Sequence, residues 1–156
     1  MAKVNRRNDI MFKIIQKNDM NYNKFGSFIC TFYCKTEYGC FPFADWTDFG
    51  MNILTWWIEA YLNCTKEHYY FQLPFEDGPF WIDCYKVNDL VTMSFSSDRD
   101  AYVVMPSIEI DFHELGKELL NAGEKMQFNL FEGGHLADVQ SISTVLNRLK
   151  THCAIP

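Results

Sequence analysis

The stretch that most constrains how this chain folds is Phe41–Asn63, FPFADWTDFGMNILTWWIEAYLN. Its polar residues Asp48, Asn52, Thr55, Glu59 and Asn63 recur every three or four positions. At 3.6 residues per turn they make one narrow stripe. Phe49, Ile53, Leu54, Trp56, Trp57, Ile58, Tyr61 and Leu62 cover the remaining circumference. A helix with this pattern is enclosed on several sides, with one strip left facing water or a partner. Thr47 or Asp48 is placed to cap its start.

At 156 residues the chain has the length of one domain, 1–156. A chain of this size buries roughly two thirds of its unfolded surface without disulfides or metal. Charge divides it unevenly. Residues 1–24 hold six of the 14 Lys and Arg and two of the 20 Asp and Glu, so 25–156 carries 8 basic against 18 acidic side chains, a net of minus ten. The reading is therefore a basic amino-terminal segment, 1–24, followed by an acidic body, 25–156. Such a body repels nucleic acid and attracts basic surfaces, over about 8 Å at physiological salt. The opening MAKVNRRNDIMFKIIQKND has its apolar run broken at Lys13, with no small-residue cleavage site after it. No stretch of apolar residues is long enough to span a bilayer. These features predict a cytoplasmic protein without a membrane partner. The six cysteines, several of them inside apolar runs, read as free thiols of a reducing compartment.

In chain order, IMFKIIQ favours a strand that ends in the turn NDMNYN. SFICTFYC, 27–34, alternates Phe28, Cys30, Phe32 and Cys34 with Ile29, Thr31 and Tyr33, a strand covered on both faces. KTEYGCFPFADW reads as a loop punctuated by Gly39 and Pro42. Beyond Cys64 the period becomes two. Strands are predicted at Tyr69–Phe75, Phe80–Tyr85, Val91–Ser96 and in YVVMPSIEIDF, joined by turns at EDGP, VND and SSDRD. Pro79 lacks the N–H that closes a tight turn, so EDGP is expected as a wider loop holding Glu76 and Asp77 outward.

The last third turns helical. Leu115, Leu119, Ala122, Met126 and Leu130 keep one phase across Gly123, which predicts a single helix over 113–132 stopped by Gly133-Gly134. The alternation of Met126, Phe128 and Leu130 leaves open a helix ending at Gly123 followed by a short strand. A final helix buries Val139, Ile142, Val145, Leu146 and Leu149, with Asp138 as its cap. The predicted class is α+β: an antiparallel meander packed against amphipathic helices in a single domain.

Chemical motifs are weak. His113-Glu114 lacks the second histidine of a zinc-protease helix. The cysteines and the four histidines have no metal-ligand spacing. Glu109-Ile110-Asp111 lacks the lysine of a metal-dependent nuclease strand, and Glu76, Asp77 and Asp83 read first as turn and strand carboxylates. No phosphate-cradling glycine loop occurs. No catalytic, metal or cofactor residue is assigned on these grounds.

The order FPFADW, a helix containing WW, LPFEDGPFWI opening a meander, then two amphipathic helices around a glycine break, resembles bacterial immunity proteins of polymorphic and contact-dependent growth inhibition toxin systems. The similarity spans 25–150. Its anchors are Pro42, Asp45, Trp46, Trp57 and Phe75-Glu76-Asp77-Gly78-Pro79-Phe80, and they serve as fold markers. The resemblance implies a small cytosolic antitoxin, not an enzyme, that binds and neutralises the carboxy-terminal domain of one cognate toxin, often a nuclease.

Nucleases need basic surfaces to hold phosphates, so an acidic inhibitor meets one with complementary potential. The candidate toxin-binding residues are the loop acids Asp45, Asp48, Glu76, Asp77, Asp98 and Asp100 together with Trp46, with Phe80 or Trp81 as further aromatic anchors. Two alternatives from other classes stay open. One is a small enzyme using Asp83, Glu109 or His113 in a cleft; the other is a binding module for a different basic protein.

Overall fold

The computed structural model describes residues 11–98 and 103–154. Their order is β1 Phe12–Gln16, β2 Asn21–Tyr22, β3 Phe28–Thr36, β4 Gly39–Phe41, β5 Thr47–Asp48, α1 Gly50–Leu62, β6 His68–Pro74, β7 Phe80–Val87, β8 Leu90–Ser97, β9 Val103–Asp111, α2 Phe112–Glu132 and α3 Leu136–Ala154. The fold is α+β, with the three helices packed on two antiparallel sheets.

The first sheet is built on β3, which pairs along its length with β1, β2, β4 and β5. Two-sided cover of β3 follows the alternation: Phe28, Cys30, Phe32 and Cys34 are buried, Thr31 is buried opposite them, and Ile29 and Tyr33 are half-buried. The expectation of a loop over KTEYGCFPFADW is corrected here. Lys35 and Thr36 finish β3, Gly39–Phe41 folds back on it as β4, and β5 follows directly after the segment, because β3 has backbone groups along its edge that these residues can pair.

The second sheet is the meander β6-β7-β8-β9. Phe71, Leu73, Phe80, Ile82, Cys84, Val91, Met93, Phe95, Ile108 and Ile110 point into the core. Asn88 and Asp89 make the two-residue turn between Val87 and Leu90, Asn88 taking φ 53°. EDGP is the wider loop that Pro79 requires, with Phe75 N–H bonded to the Phe80 carbonyl at 3.0 Å.

Helix α1 contacts both sheets and both other helices. Ile53, Leu54, Trp57 and Ile58 are 0% exposed and Tyr61 1% exposed. Each such side chain contributes about 1.5–3 kcal/mol by leaving water. Trp57 Nε1 donates to the Pro74 carbonyl at 2.7 Å, and the Tyr61 hydroxyl donates to the Phe112 carbonyl at 3.0 Å. The water-facing strip holds Asn52, Glu59 and Asn63, with Thr55 half-buried, and it includes Trp56 at 40% exposure.

Two capping expectations are corrected. No side chain caps α1: its N-cap position is Phe49, and Thr47 and Asp48 belong to β5. Asp138 lies inside the first turn of α3, where its charge favours the amino-terminal end of the helix without capping it. Helix α2 runs unbroken through Gly123, so the shorter-helix alternative does not form. Its cap is Asp111, which accepts from the backbone N–H groups of His113 and Glu114 at 2.9 and 3.2 Å. All six cysteines are unpaired. Among the described residues no helix is long and apolar enough to cross a membrane.

Candidate functional site

Trp46, Asp48, Glu76, Asp77 and Asp98 come together at one end of the molecule, where the segment before α1 meets the loop between β6 and β7. The junction is pinned from beneath. Thr47 and Asp48 pair with β3, and Phe32 N–H donates to the Trp46 carbonyl at 2.8 Å. The same pairing turns the Asp48 carboxylate inward, where it is 1% exposed. It accepts from Trp46 Nε1 at 2.9 Å, from Phe49 N–H at 2.7 Å, and from Asp77 N–H at 3.0 and 3.2 Å to its two oxygens.

Asp48 is thus corrected from a surface contact to an internal brace. A strand-register position, not a helix face, decides where its side chain goes. Burial pushes its carboxyl up from the ordinary value, an effect that the donors from Trp46, Phe49 and Asp77 only partly offset.

Above this brace the loop carboxylates are displayed. Glu76 and Asp77 are exposed, and Glu76 accepts from Asn52 Nδ2 of α1 at 3.1 Å. Asp98, also exposed, joins them through its backbone N–H, which donates to the Pro79 carbonyl at 3.1 Å. None of the three has an ion-pair partner among the described residues.

Three aromatic rings pack beside them. Trp46 meets Phe80 edge to face at 5.4 Å, Phe43 meets Phe80 at 5.7 Å, and Phe43 lies 5.9 Å from Trp46 while 56% exposed. Phe80 is thus corrected from a surface anchor to a core residue, 7% exposed, on which the exposed Phe43 and the half-buried Trp46 rest beside carboxylates that have no ion-pair partner among the described residues.

The remaining candidates are placed differently. Asp45 sits next to the cluster with φ 61°, but its carboxylate accepts from Lys17 Nζ of the segment after β1 at 2.6 Å, so its charge is already met. Asp100 lies outside the described residues. Trp81 follows Phe80 but lies on the opposite face of the sheet; its Nε1 donates to Asp83 at 2.9 Å on the outward face of the meander. Asp83, Glu109 and His113 do not converge. Asp83 and Glu109 lie on strands β7 and β9, and His113 opens α2 with Nε2 3.8 Å from Asp89. Among the described residues no group of three or more His, Cys, Asp or Glu side chains is placed to hold a metal ion.

Sequence reasoning missed Phe43 and Asn52 as members of the site. The FPF triplet was the available signal for Phe43. Asn52 was visible only as one member of the helix stripe.

The chain matches no protein-family model, no curated protein and no solved structure.

Proposed function

We propose that this protein is an immunity protein that neutralises a cognate bacterial toxin domain by direct contact, acting in the cytoplasm of the cell it protects. The single observation that carries the reading is the display of Glu76, Asp77 and Asp98, none with an ion-pair partner among the described residues, beside the exposed Phe43 and the half-buried Trp46. Aromatic anchors surrounded by charge are the usual composition of a tight protein interface. An acidic rim on a chain of net charge −6 draws in a basic surface such as that of a nuclease. The resemblance of the FPFADW and LPFEDGPFWI segments to immunity proteins supports the same reading.

The test is a titration against the carboxy-terminal domain encoded by the neighbouring toxin gene, with growth rescue scored in parallel. Binding in the nanomolar range with rescue is the expected outcome. The double variant Glu76→Lys, Asp77→Lys is expected to associate at least about tenfold more slowly while melting at an unchanged temperature. Absence of both binding and rescue for the unaltered protein sinks the reading. Unchanged association of the variant removes this loop from the interface.

A further inference from the structure

The meander has a second face, turned away from the core. Its cross-strand rows are read from the register. One row runs Tyr70, Tyr85, Thr92 and Glu109; the next holds Gln72, Asp83 and Ser94; Pro74, Trp81 and Ser96 follow; Val87 and Leu90 stand at the turn beyond Tyr85. Tyr70, Tyr85, Val87 and Leu90 are 46, 50, 49 and 44% exposed. The two tyrosine rings lie 5.0 Å apart, tilted by 41°. Single exposed hydrophobics are ordinary on a protein surface, so the informative feature is that two aromatic rings and an aliphatic margin stand together on one face.

The face is rigid before any partner arrives. Asp83 collects donors from three strands: the Tyr70 hydroxyl at 2.5 Å and Gln72 Nε2 at 3.0 Å to Oδ1, Trp81 Nε1 at 2.9 Å and the Ser96 hydroxyl at 3.3 Å to Oδ2. Side chains already held in one rotamer lose little entropy on binding. Every donor is neutral. The carboxylate's lone pairs are used, but its negative charge is not cancelled, and none of the outward positions in these rows carries Lys or Arg. A phenol donating to a carboxylate also has a more electron-rich ring, which strengthens attraction of a cation to the ring face. Burial and then the Asp83 carboxylate push the Tyr70 phenol up to about 12, so it remains the donor at neutral pH. Glu109, two strands from Tyr85 and so about 10 Å away, is exposed and supplies free acceptor oxygens.

We propose that this outer face of the meander is a docking surface for an arginine-bearing segment of another protein, seated across Tyr70 and Tyr85 in the field of Asp83, with Glu109 as the hydrogen-bonding carboxylate. Arginine fits better than lysine. Its planar guanidinium stacks on tyrosine and sheds water more readily, and its stem matches the Val87 and Leu90 margin. Phosphate-bearing partners are repelled by the same charges. The proposal is independent of the loop end assigned to toxin binding.

The test uses the full chain, isotopically labelled, and two capped probe peptides of the same length, one with two arginines separated by glycine and one with two lysines. Amide shifts are expected to concentrate on β6 and β7 around Tyr70, Asp83 and Tyr85, with the arginine peptide binding at least about threefold more tightly. Tyr85→Ala removes a half-exposed ring that packs on Tyr70 and is expected to weaken binding about fivefold or more, with a thermal melt checking that it folds. Asp83→Asn is expected to do likewise, and a thermal melt checks that it folds. Shifts spread evenly over the acidic surface or confined to Glu76, Asp77 and Asp98 overturn the proposal, as do a Tyr85→Ala protein that binds like the unaltered one and an arginine peptide that does not bind.

Discussion

Asp48 and Asp83 are both held by neutral donors, yet their carboxyls move in opposite directions. Burial dominates at Asp48 and raises it. At Asp83 burial also acts upward, but hydrogen bonds from Tyr70, Gln72, Trp81 and Ser96 outweigh it and hold the carboxyl below its ordinary value of 3.8. The consequences for stability have opposite signs. A lowered folded-state value means the unfolded chain binds the proton more readily, so Asp83 contributes stability above about pH 4 that is lost as the pH falls through its lowered value. Asp83→Asn is expected to flatten the acid limb of a plot of melting temperature against pH. Asp48 contributes in the other direction: its stabilisation is present at low pH and is lost as the pH rises through its raised value. Removing the Asp48 side chain is a different matter. Asp48→Ala leaves Trp46 Nε1 and two backbone N–H groups without their acceptor, which costs about 2–4 kcal/mol in a urea titration. Neither role was legible in the sequence. The spacing from Asp48 to Asn52 and Thr55 looks helical, whereas its burial comes from pairing with Cys30 of β3, a contact that no local pattern announces.

Helix α2 shows what spacing settles and what it leaves open. Leu115, Leu119, Ala122, Met126 and Leu130 share one phase and are all buried. The periodicity therefore predicted the helix and its inner face correctly across Gly123. It did not say why a glycine, about 1 kcal/mol less favourable than alanine in a helix, should stand there. The reason is α3: a Cβ built on Gly123 would lie 2.3 Å from Leu146 Cδ2 and 3.5 Å from Ile58 Cδ1. Gly116 is crowded in the same way, with the Tyr61 hydroxyl oxygen 2.3 Å from a built Cβ. Gly123→Ala is thus expected to destabilise by about 1–3 kcal/mol despite the better helix propensity, measured as a lowered urea midpoint with an unchanged slope. On α1, Trp57→Ala is expected to cost about 3–5 kcal/mol by the same assay, since it opens a cavity at a 0% exposed position and orphans the Pro74 carbonyl. The meander strands were legible for the same reason as α2, because one face is buried and the period of two records it. Strands β4 and β5, with three and two residues, are too short to carry a period at all.

On the scale of the whole molecule, the proposed binding assigns approach of the partner to charge and its retention to the fixed surface residues. If the acidic loop end meets a basic toxin domain as proposed, the association rate should fall several-fold as salt rises from about 0.05 to 0.5 M, because the screening length shrinks toward a few ångströms. That dependence should be much shallower for the Glu76→Lys, Asp77→Lys protein, and stopped-flow mixing at several ionic strengths measures both. A salt-independent rate for the unaltered chain would count against electrostatic approach. By itself the sequence determined the α+β class, the inner faces of α1, α2 and the meander, the outward EDGP loop and the acidic balance, because periodicity and turn chemistry are local consequences of side-chain type. Only the tertiary structure decided that the first half of the chain makes its own sheet around β3 and that Asp48 is a brace. It also decided that Asp45 is met by Lys17, and that Asp83 fastens three strands beneath a pair of exposed tyrosines. Each of these depends on residues far apart in the chain meeting across strands or packed elements, and the register that brings them together is set by the burial of the whole core.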